Sequence, residues 1–550
     1  MIISDIKKEI DLALSKNNIT INNYLIEKSK NISFGDFSSN VALVLSKELK
    51  KSPMDIAKLI VENIDSSKFK AIEISNPGFI NFRLSDQYFS SLISKIIIQD
   101  KKYPIFPKTG LTYNVEWVSA NPTGLLHIGH ARNAVNGDVF VSLLEKTGNH
   151  VVREYVVNDA GNQMNILAAS VLVRYKQLLN IEAELANDSY HGDEIKLVAE
   201  ALFKKYKYKF INTEINYESF NIVNEKENFI IRKFARDYLL KQIQIDLAAI
   251  GTHIDIYFSE LKIHNSGLIP KTIKKLGDNV YEKDGAIWLK TTKFGDDKDR
   301  VLIKSDGKPT YFMPDIAYHE IKLNRPPKPV KLIAIWGSDH YSYITRMKIA
   351  LQALGYKAEQ LEIACMQMVR LVKNGEEFKM SKRTGQSLTL IDLVNAIGKD
   401  AARWFLLSTS ISTHLELDVD IATQQDSKNP IYYVEYAHAR ANTLLNKAPK
   451  INKKEINTNL LELDIEKEIL SELNYYEICI ENAAKNLEPH KVTNYVYNLA
   501  KLFHNYYNNV QILNIENEEL KKQRIALVYA TKNIIRNSLD ILGIEAYIKM

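Results

Sequence analysis

Two stretches, 111–148 and 331–354, constrain the fold of this chain more than any others. In the first, "LTYNVEWVSA" has strand character and the turn "NPTG" follows it. A helix is then predicted from about Gly129 to Glu145, with Gly148 just past its end. The second runs from the apolar strand "KLIAIWG" through "SDHY" into the helix "YITRMKIALQAL". Two such strand–turn–helix units predict a Rossmann-like, doubly wound parallel sheet, an α/β fold that binds ligands at the carboxyl ends of its strands.

The rest of the chain predicts further domains around that sheet, because 550 residues exceed what one core supports. Helical patterns and a strand broken at Asn76-Pro77-Gly78 begin the chain, and the turns Asp284-Gly285, Asp306-Gly307 and Asn374-Gly375 mark hairpins. The predicted regions are an N-terminal α+β domain at 1–98, a catalytic domain at 110–387 with an insertion at about 160–300, a connecting helical segment at 388–429, and an all-α C-terminal domain at 430–550.

Composition excludes several classes of protein. Hydrophobic residues make up 45% and charged residues 25% of the chain, as in ordinary globular proteins. No run approaches the roughly 20 apolar residues of a membrane helix. Cys365 and Cys479 are the only cysteines, so neither a zinc ribbon nor a disulfide framework is available. These features predict a cytoplasmic protein that binds no membrane, and the net charge of +6 is compatible with a polyanionic partner without requiring one.

Two histidines, His127 and His130, lie in the turn before the first predicted helix. They could bind a metal, but two ligands are too few, and no Glu stands between them as in an HExxH motif. They could be buried structural residues, although a turn rich in Gly and Pro suits that role poorly. Their position favours a third interpretation, in which the helix N-terminus and both imidazoles donate hydrogen bonds to a phosphate. Gly129 would then let the backbone approach the ligand.

A basic loop, "KMSKRTG" at 379–385, follows the third predicted hairpin and supplies Lys379, Lys382 and Arg383. Taken alone, such a loop is usually just solvated, but flexible lysines can also neutralise a departing pyrophosphate as point charges. The pair of "HIGH" and "KMSK", in this order around a split α/β fold, is far more specific than either motif.

This pair resembles the signature of the class I aminoacyl-tRNA synthetases, and the surrounding residues resemble the arginyl-tRNA synthetases of the bacterial type. One small departure is Leu125, where bacterial members more often have Pro. The matching segments run along nearly the whole chain and include "GDFSSNVAL", "NPGFINF", "VEWVSANPTGLLHIGHARNAVNGD", "REYVVNDAGNQMNIL", "SDGKPTYFMPDIAYH", "WGSDHYSYITRMKIALQALGY", "QMVRLVKNGEEFKMSKRTG", "NPIYYVEYAHAR", "LAKLFHNYYN" and "LDILGIEA".

The resemblance implies that the chain ligates L-arginine to tRNA(Arg). ATP, as its Mg²⁺ complex, and arginine would give arginyl-adenylate and pyrophosphate. The arginyl group would then pass to the tRNA, and AMP would be released. In this family arginine activation usually waits for bound tRNA. Because the carboxylate of arginine is the nucleophile, the protein would position the reactants and stabilise charge. A monomer with no tightly bound metal or organic cofactor is expected.

The resemblance also assigns residues to these tasks. Catalysis is expected from His127, His130, Lys379 and Lys382. ATP is expected to contact Gly124, His127, Gly129, His130, Met380, Ser381 and Lys382. Carboxylates are needed for arginine because they grip a guanidinium bidentately. The expected arginine-binding residues are Glu116, Ser119, Asn121, His127, Tyr311, Asp315, Ser338 and His340.

Two regions are expected to contact tRNA, one at its elbow and one at its anticodon. Lys and Arg balance Asp and Glu over 431–550, so binding there must rest on local basic patches and stacking. The expected contacts are Asn76, Phe79, Asn81 and Phe82 for the elbow, and Tyr432, Tyr436 and Arg440 for the anticodon.

Two other functions fit parts of this pattern. Another class I synthetase or a nucleotidyltransferase would share both motifs, but it would not pair Glu116 with Asp315 in this context. A catalytically inactive paralogue that only binds RNA would be expected to have lost His127, His130 or Lys382, and all three are present.

Overall fold

The structure, a computed structural model, describes residues 2–21, 23–29, 31–338, 341–377 and 388–550. Contacts within the chain divide it into two compact units. The first contains Met1–Phe106, Gln425–Asn486 and Lys491–Met550, and the second contains Pro107–Gln424 and Leu487–His490. Residues near the two ends of the chain therefore belong to one unit.

The N-terminal part of the first unit is an antiparallel sheet with helices packed against it. Its elements are α1 (Ile2–Ser15), β1 (Ile26–Lys28), β2 (Phe37–Ser39), α2 (Val41–Leu49), α3 (Pro53–Asn63), β3 (Phe69–Ser75), β4 (Phe79–Leu84) and α4 (Asp86–Gln99). The strand order is β1-β2-β4-β3. The predicted break at Asn76-Pro77-Gly78 is confirmed as the turn between β3 and β4. In α1, Ile2, Ile6 and Ile10 are buried, the spacing of an amphipathic helix.

The second unit carries both strand–turn–helix stretches. Its first half contains β5 (Thr112–Glu116), α5 (Ile128–Lys146), β6 (His150–Val157), α6 (Asn162–Leu178), α7 (Asp193–Tyr206), β7 (Ile215–Asn216), β8 (Asn221–Ile222), α8 (Glu225–Ala249), β9 (Ile256–Ser259), α9 (Leu261–Asn265) and α10 (Leu268–Leu276). Its second half contains β10 (Val280–Lys283), β11 (Ala286–Leu289), β12 (Arg300–Ile303), α11 (Phe312–Asn324), β13 (Lys331–Gly337), α12 (Tyr341–Ala353), β14 (Leu361–Met366), β15 (Val369–Lys373), β16 (Glu376–Glu377), α13 (Leu390–Ile397), α14 (Lys399–Leu407), β17 (Leu415–Asp418) and α15 (Val419–Ala422).

The central sheet of this unit is parallel, with the strand order β14-β13-β5-β6-β9. The chain moves outward from β5 through β6 to β9, and then returns to the other side of β5 to form β13 and β14. The order therefore reverses between β5 and β13, where a doubly wound sheet opens a crevice at the carboxyl ends of its strands. The predicted sheet is confirmed.

The connections follow the predicted turns with two differences. The hairpins at Asp284-Gly285 and Asn374-Gly375 are confirmed as β10–β11 and β15–β16. After the turn at Asp306-Gly307, the returning chain pairs with β12 through an isolated β-bridge between Ile303 and Pro309 and does not form a full strand. After 388 the sequence predicts only helices, but β17 is a strand parallel to β15. Four residues with alternating burial are too short to interrupt a helical pattern visibly.

The rest of the first unit is a helical bundle of α16 (Pro430–Lys447), α17 (Asp464–Asn486), α18 (His490–Asn509) and α19 (Glu518–Leu542). Amide side chains of α19 bond to the end of α4 and the residues after it. Asn533 donates to the Ile96 carbonyl, and Asn537 donates to the carbonyls of Asp100 and Tyr103. Across the described ranges, none of the helices combines the length and the apolar character that a bilayer crossing needs.

Candidate active site

A cavity of about 880 Å³ lies at the carboxyl ends of β5 and β13, where the strand order reverses. This is the position at which open α/β sheets bind their ligands. The predicted residues that the fold brings together in its wall are Glu116, Ser119, His127, Gly129, His130, Asp315 and Ser338.

The two histidines begin α5 and hydrogen-bond to its first turn. The Gly129 N–H donates to Nδ1 of His127 over 3.0 Å, and the His127 N–H donates to Nδ1 of His130 over 3.2 Å. Because each Nδ1 accepts a hydrogen bond, each neutral ring carries its own proton on Nε2. Burial lowers the pKa of both rings, that of His130 to about 3, where the neighbouring His127 lowers it further. Both rings are therefore neutral Nε2–H donors at neutral pH.

Gly129 is required by the first of these rings. A Cβ placed on Gly129 would lie 2.8 Å from Cε1 of His127, which is closer than side-chain atoms approach one another. Any other residue at this position would therefore displace the imidazole. Besides the predicted close approach of a ligand, there is thus a second reason for glycine here, within the protein itself.

The backbone between β5 and α5 is strained. Val118 and Ser119 have φ values of 65° and 42°, in the left-handed region that costs a residue other than glycine about 1–3 kcal/mol. Hydrogen bonds hold this turn, because the Val118 N–H donates to Oδ1 of Asn133 and Nδ2 of Asn158 donates to the Ser119 carbonyl, both over 2.9 Å. The turn brings Oγ of Ser119 within 3.0 Å of Oε1 of Glu116, to which it donates.

The two carboxylates of the wall differ in their partners. Oε2 of Glu116 lies 2.6 Å from Nζ of Lys322, forming a salt bridge. Asp315 accepts a hydrogen bond at Oδ2 from the Tyr343 hydroxyl over 2.6 Å. Among the described residues, Asp315 has no salt-bridge partner and its Oδ1 accepts no hydrogen bond. Burial raises the pKa of Asp315 to about 6, with a smaller contribution from Glu260 and Glu116.

One face of α11 contributes several groups to this wall. Asp315, Tyr318, His319 and Lys322 follow one another at helical spacing, so they lie on the same side of the helix. Nδ1 of His319 lies 2.8 Å from the Asp315 carbonyl and must therefore donate its proton to it. Nε2 of His319 is then an acceptor, and it is buried with no hydrogen-bond partner in the described part of the chain. The wall thus offers acceptors to a cationic, donor-rich ligand.

Several predicted residues lie elsewhere. Gly124 and Asn121 are not among the residues that line the cavity, and Asn121 hydrogen-bonds with Asn158 and Gln163. Tyr311 is also absent from the lining and is 90% exposed. The predicted residues outside the described ranges are Lys379, Met380, Ser381, Lys382, Arg383, Asp339 and His340.

Other residues in the wall or next to it were not predicted from the sequence. Lys322 carried a usable signal, because it follows Asp315 by two helical turns and so shares its face. Tyr343 and Asn133 carried none, because their contacts with Asp315 and with the Val118 N–H, 28 and 15 positions away, form only in the folded chain.

The N-terminal residues proposed for RNA contact are only partly available. Asn76 lies in the β3–β4 turn, and Phe79 is 36% exposed. Phe82 is 0% exposed, so the expectation that its side chain contacts RNA is wrong. It lies on an inner strand of the sheet and its ring packs 5.2 Å from that of Phe69. Asn81 is 4% exposed and donates to Oγ of Ser75, so its side chain is not free for RNA either.

The C-terminal residues proposed for RNA contact form one aromatic cluster. The rings of Tyr432 and Tyr436 stack 6.2 Å apart. The guanidinium of Arg440 lies 4.6 Å from the ring centres of both Tyr436 and Tyr507 and donates to Asn508. A cavity of about 650 Å³ includes Asn508 and is lined also by Tyr433, Lys501, His504, Asn498 and Asn505. Stacking surfaces beside amide groups are suited to unpaired bases.

Comparison with known proteins covers the same regions. Three family models match in order: "Arginyl tRNA synthetase N terminal domain" over residues 2–84, "tRNA synthetases class I (R), catalytic domain" over residues 92–408, and "DALR anticodon binding domain" over residues 434–550. The chain is 50% identical to an arginine–tRNA ligase of Ureaplasma parvum serovar 3 over 100% of both sequences.

Solved structures give the same result. A putative arginyl-tRNA synthetase from Campylobacter jejuni superposes with a TM-score of 0.77 at 34% identity, covering 85% of this chain and 100% of its own. The arginyl-tRNA synthetase of Thermus thermophilus superposes with a TM-score of 0.78 over 100% of both chains, and its 20% identity supports the fold alone.

Proposed function

The chain belongs to the class I arginyl-tRNA synthetase family, and on that premise we propose that arginine and ATP react in the 880 Å³ cavity. The enzyme activates L-arginine with ATP to arginyl-adenylate, releasing pyrophosphate, and passes the arginyl group to tRNA(Arg), releasing AMP. One observation carries the assignment of the site: an open carboxylate, Asp315, shares a cavity with two neutral imidazole donors.

His127 and His130 donate their Nε2–H groups to the phosphates of ATP. The carboxylate of arginine displaces pyrophosphate at the α-phosphorus, so the rings need not remove a proton and can remain neutral throughout. Their contribution is to stabilise the charge that grows on the phosphate oxygens, together with the N-terminal end of α5. Lys379 and Lys382 would neutralise the leaving pyrophosphate. Gly124, Gly129, Met380 and Ser381 complete the proposed nucleotide contacts.

Asp315 pairs with the guanidinium of arginine. A guanidinium presents five N–H donors, and Oδ1 of Asp315 and Nε2 of His319 are acceptors without partners among the described residues. Such a site discriminates strongly against an amino acid that leaves its polar groups unpaired. Glu116, Ser119, His127 and Ser338 complete the wall around the amino acid. Asn121, Tyr311 and His340 are proposed as further contacts.

The remaining assignments concern partners and setting. We propose that Asn76 and Phe79 meet the tRNA elbow and that Tyr432, Tyr436 and Arg440 stack on anticodon bases. The regions 1–98, 110–387, 388–429 and 430–550 are proposed as the functional domains. ATP is proposed to enter as its Mg²⁺ complex, because the cation offsets phosphate charge. The enzyme is proposed to act as a monomer in the cytoplasm.

Substitution of Asp315 tests the arginine site. Asp315→Asn keeps the shape of the side chain but removes its charge, so the KM for arginine should rise about a hundredfold while the KM for ATP changes by less than about threefold. Both constants are measured by tRNA-dependent ATP–pyrophosphate exchange. Asp306→Asn, in an exposed turn of the same unit, is the matched control. An arginine KM that stays near the wild-type value in Asp315→Asn would refute the assignment.

A further inference from the structure

Lys322 is a buried cation next to Glu116, which lines the cavity. Its side chain is 1% exposed, and its Nζ lies 2.6 Å from Oε2 of Glu116 and 4.4 Å from the ring centre of Tyr318. The second carboxylate oxygen of Glu116 already accepts from Ser119. Both oxygens of Glu116 are therefore engaged within the protein.

Asp315 is in the opposite state, since its Oδ1 accepts no hydrogen bond from the described residues. Lys322 neutralises Glu116, so the negative charge that this side of the cavity offers a guanidinium comes from Asp315, with a further contribution from nearby Glu260. Charge balance matters here because unpaired charges are costly in a buried, weakly polar environment. Without Lys322, two carboxylates would compete for one guanidinium.

The same lysine fixes the position of Asp315. Lys322 lies two turns after Asp315 on α11 and connects that helix to β5 through Glu116. Arg325, just past the end of α11, connects it to β6 through Glu154 over 2.9 Å. Glu154 also accepts hydrogen bonds from Tyr318 and Asn114. The helix that carries Asp315 is thus tied to two adjacent strands by buried polar pairs.

We propose that Lys322 is a positioning residue for arginine: it occupies Glu116, so that the guanidinium pairs with Asp315 and not with Glu116. Glu116 then supports the wall through Lys322 and Ser119 and does not bind the side chain of the substrate directly. This inference rests on the proposed function and divides the roles of the two acids within it.

A double-substitution cycle tests the proposal. Lys322→Met leaves a second unpaired carboxylate that competes for the guanidinium, and Glu116→Gln leaves an unpaired ammonium that repels it. Each single change should raise the KM for arginine about tenfold or more, with the KM for ATP within about threefold of wild type. The double variant Glu116→Gln/Lys322→Met removes both members of the ion pair and so restores the wild-type net charge beside Asp315. Its KM for arginine should therefore fall back to within about threefold of wild type.

The decisive comparison is between the arginine KM of the double variant and that of Glu116→Gln alone. If the double variant has an arginine KM no lower than that of Glu116→Gln alone, Glu116 binds the guanidinium itself and the proposal is overturned. If Lys322→Met alone fails to fold, the comparison of Glu116→Gln with the double variant still gives the answer. Replacing both members of a buried pair by neutral groups of similar size is often tolerated. Wild-type enzyme that fails to exchange pyrophosphate with arginine would count against the proposed function instead.

Discussion

His127 and His130 show how a single backbone hydrogen bond determines what a side chain can do. Each accepts a backbone N–H at Nδ1, which leaves each Nε2–H to point elsewhere. Burial lowers the pKa of both rings, that of His130 to about 3, so His130 does not change charge between pH 6 and 8. In the proposed function the histidines therefore act as fixed dipoles toward phosphate and not as acids or bases.

Removal of one imidazole should slow activation without weakening tRNA binding. His130→Ala deletes one donor to the developing phosphate charge, and the loss of such a donor costs about 3 kcal/mol, roughly a hundredfold in kcat. The measurement is single-turnover formation of arginyl-adenylate, with tRNA affinity determined separately by filter binding. His253→Ala, at a ring that is 79% exposed in the same unit, is the control. Equal losses in rate and in tRNA affinity would contradict the role.

The ionisation of Asp315 should appear in the pH dependence of arginine use. Its pKa is raised to about 6, so the carboxyl is ionised above that pH and protonated below it. Arginine stays protonated throughout, hence kcat/KM for arginine should rise about tenfold per pH unit up to about pH 6 and then level off. This rise of kcat/KM with pH should be absent in Asp315→Asn. If kcat/KM still rises with pH in the same way in that variant, the ionisation belongs to another group.

At the scale of secondary structure, α5 is tied to its surroundings by one buried arginine. Arg132 is 0% exposed and lies two residues after His130. Its guanidinium donates to the carbonyls of Gln367, Ser410 and Thr413 over 2.9 Å each. These acceptors follow β14 and α14, so Arg132 fixes the helix that presents both histidines.

Loss of that guanidinium should destabilise the second unit. Arg132→Met leaves several buried carbonyls without a donor, and the free energy of unfolding should fall by about 3–5 kcal/mol. Urea denaturation followed by circular dichroism provides the measurement. Arg370→Met removes a pair that is 58% and 64% exposed and should change stability by less than about 1 kcal/mol. Similar losses in the two variants would show that the carbonyl contacts of Arg132 are not what stabilises α5.

The elements that could be predicted from the sequence are those whose residue patterns are local. β5, α5, β13 and α12 were predictable because burial periodicity and turn residues such as Gly148 are local properties. β17 was missed because four residues are too short a pattern. The predicted RNA contact at Phe82 rested on a motif alone, and the folded strand β4 places the Phe82 ring in the core.

In the candidate site, too, local motifs were predictable from the sequence and contacts between distant residues were not. The histidines and Asp315 came from motifs, which are local. The Glu116–Lys322 and Asp315–Tyr343 pairs join residues that are 206 and 28 positions apart, and only the folded chain brings them together. The sequence therefore predicted two acids for the arginine site, and the structure distinguishes the paired acid, Glu116, from the open one, Asp315.

At the scale of the whole molecule, three family models match consecutive segments that together cover nearly the full length of the chain. The reversal of strand order in the second unit places the reactive groups in one cavity, and the aromatic cluster of α16 and α18 lies in the other unit. A charging enzyme must link these functions. We expect this link to take the form of a requirement for bound tRNA before arginine is activated.

The most direct test of the account is ATP–pyrophosphate exchange across the twenty amino acids, measured with and without the tRNA(Arg) transcript. We expect exchange with arginine only, and only when the transcript is present. Exchange at comparable rates with lysine or glutamine would contradict the claim that the open carboxylate of Asp315 selects a guanidinium.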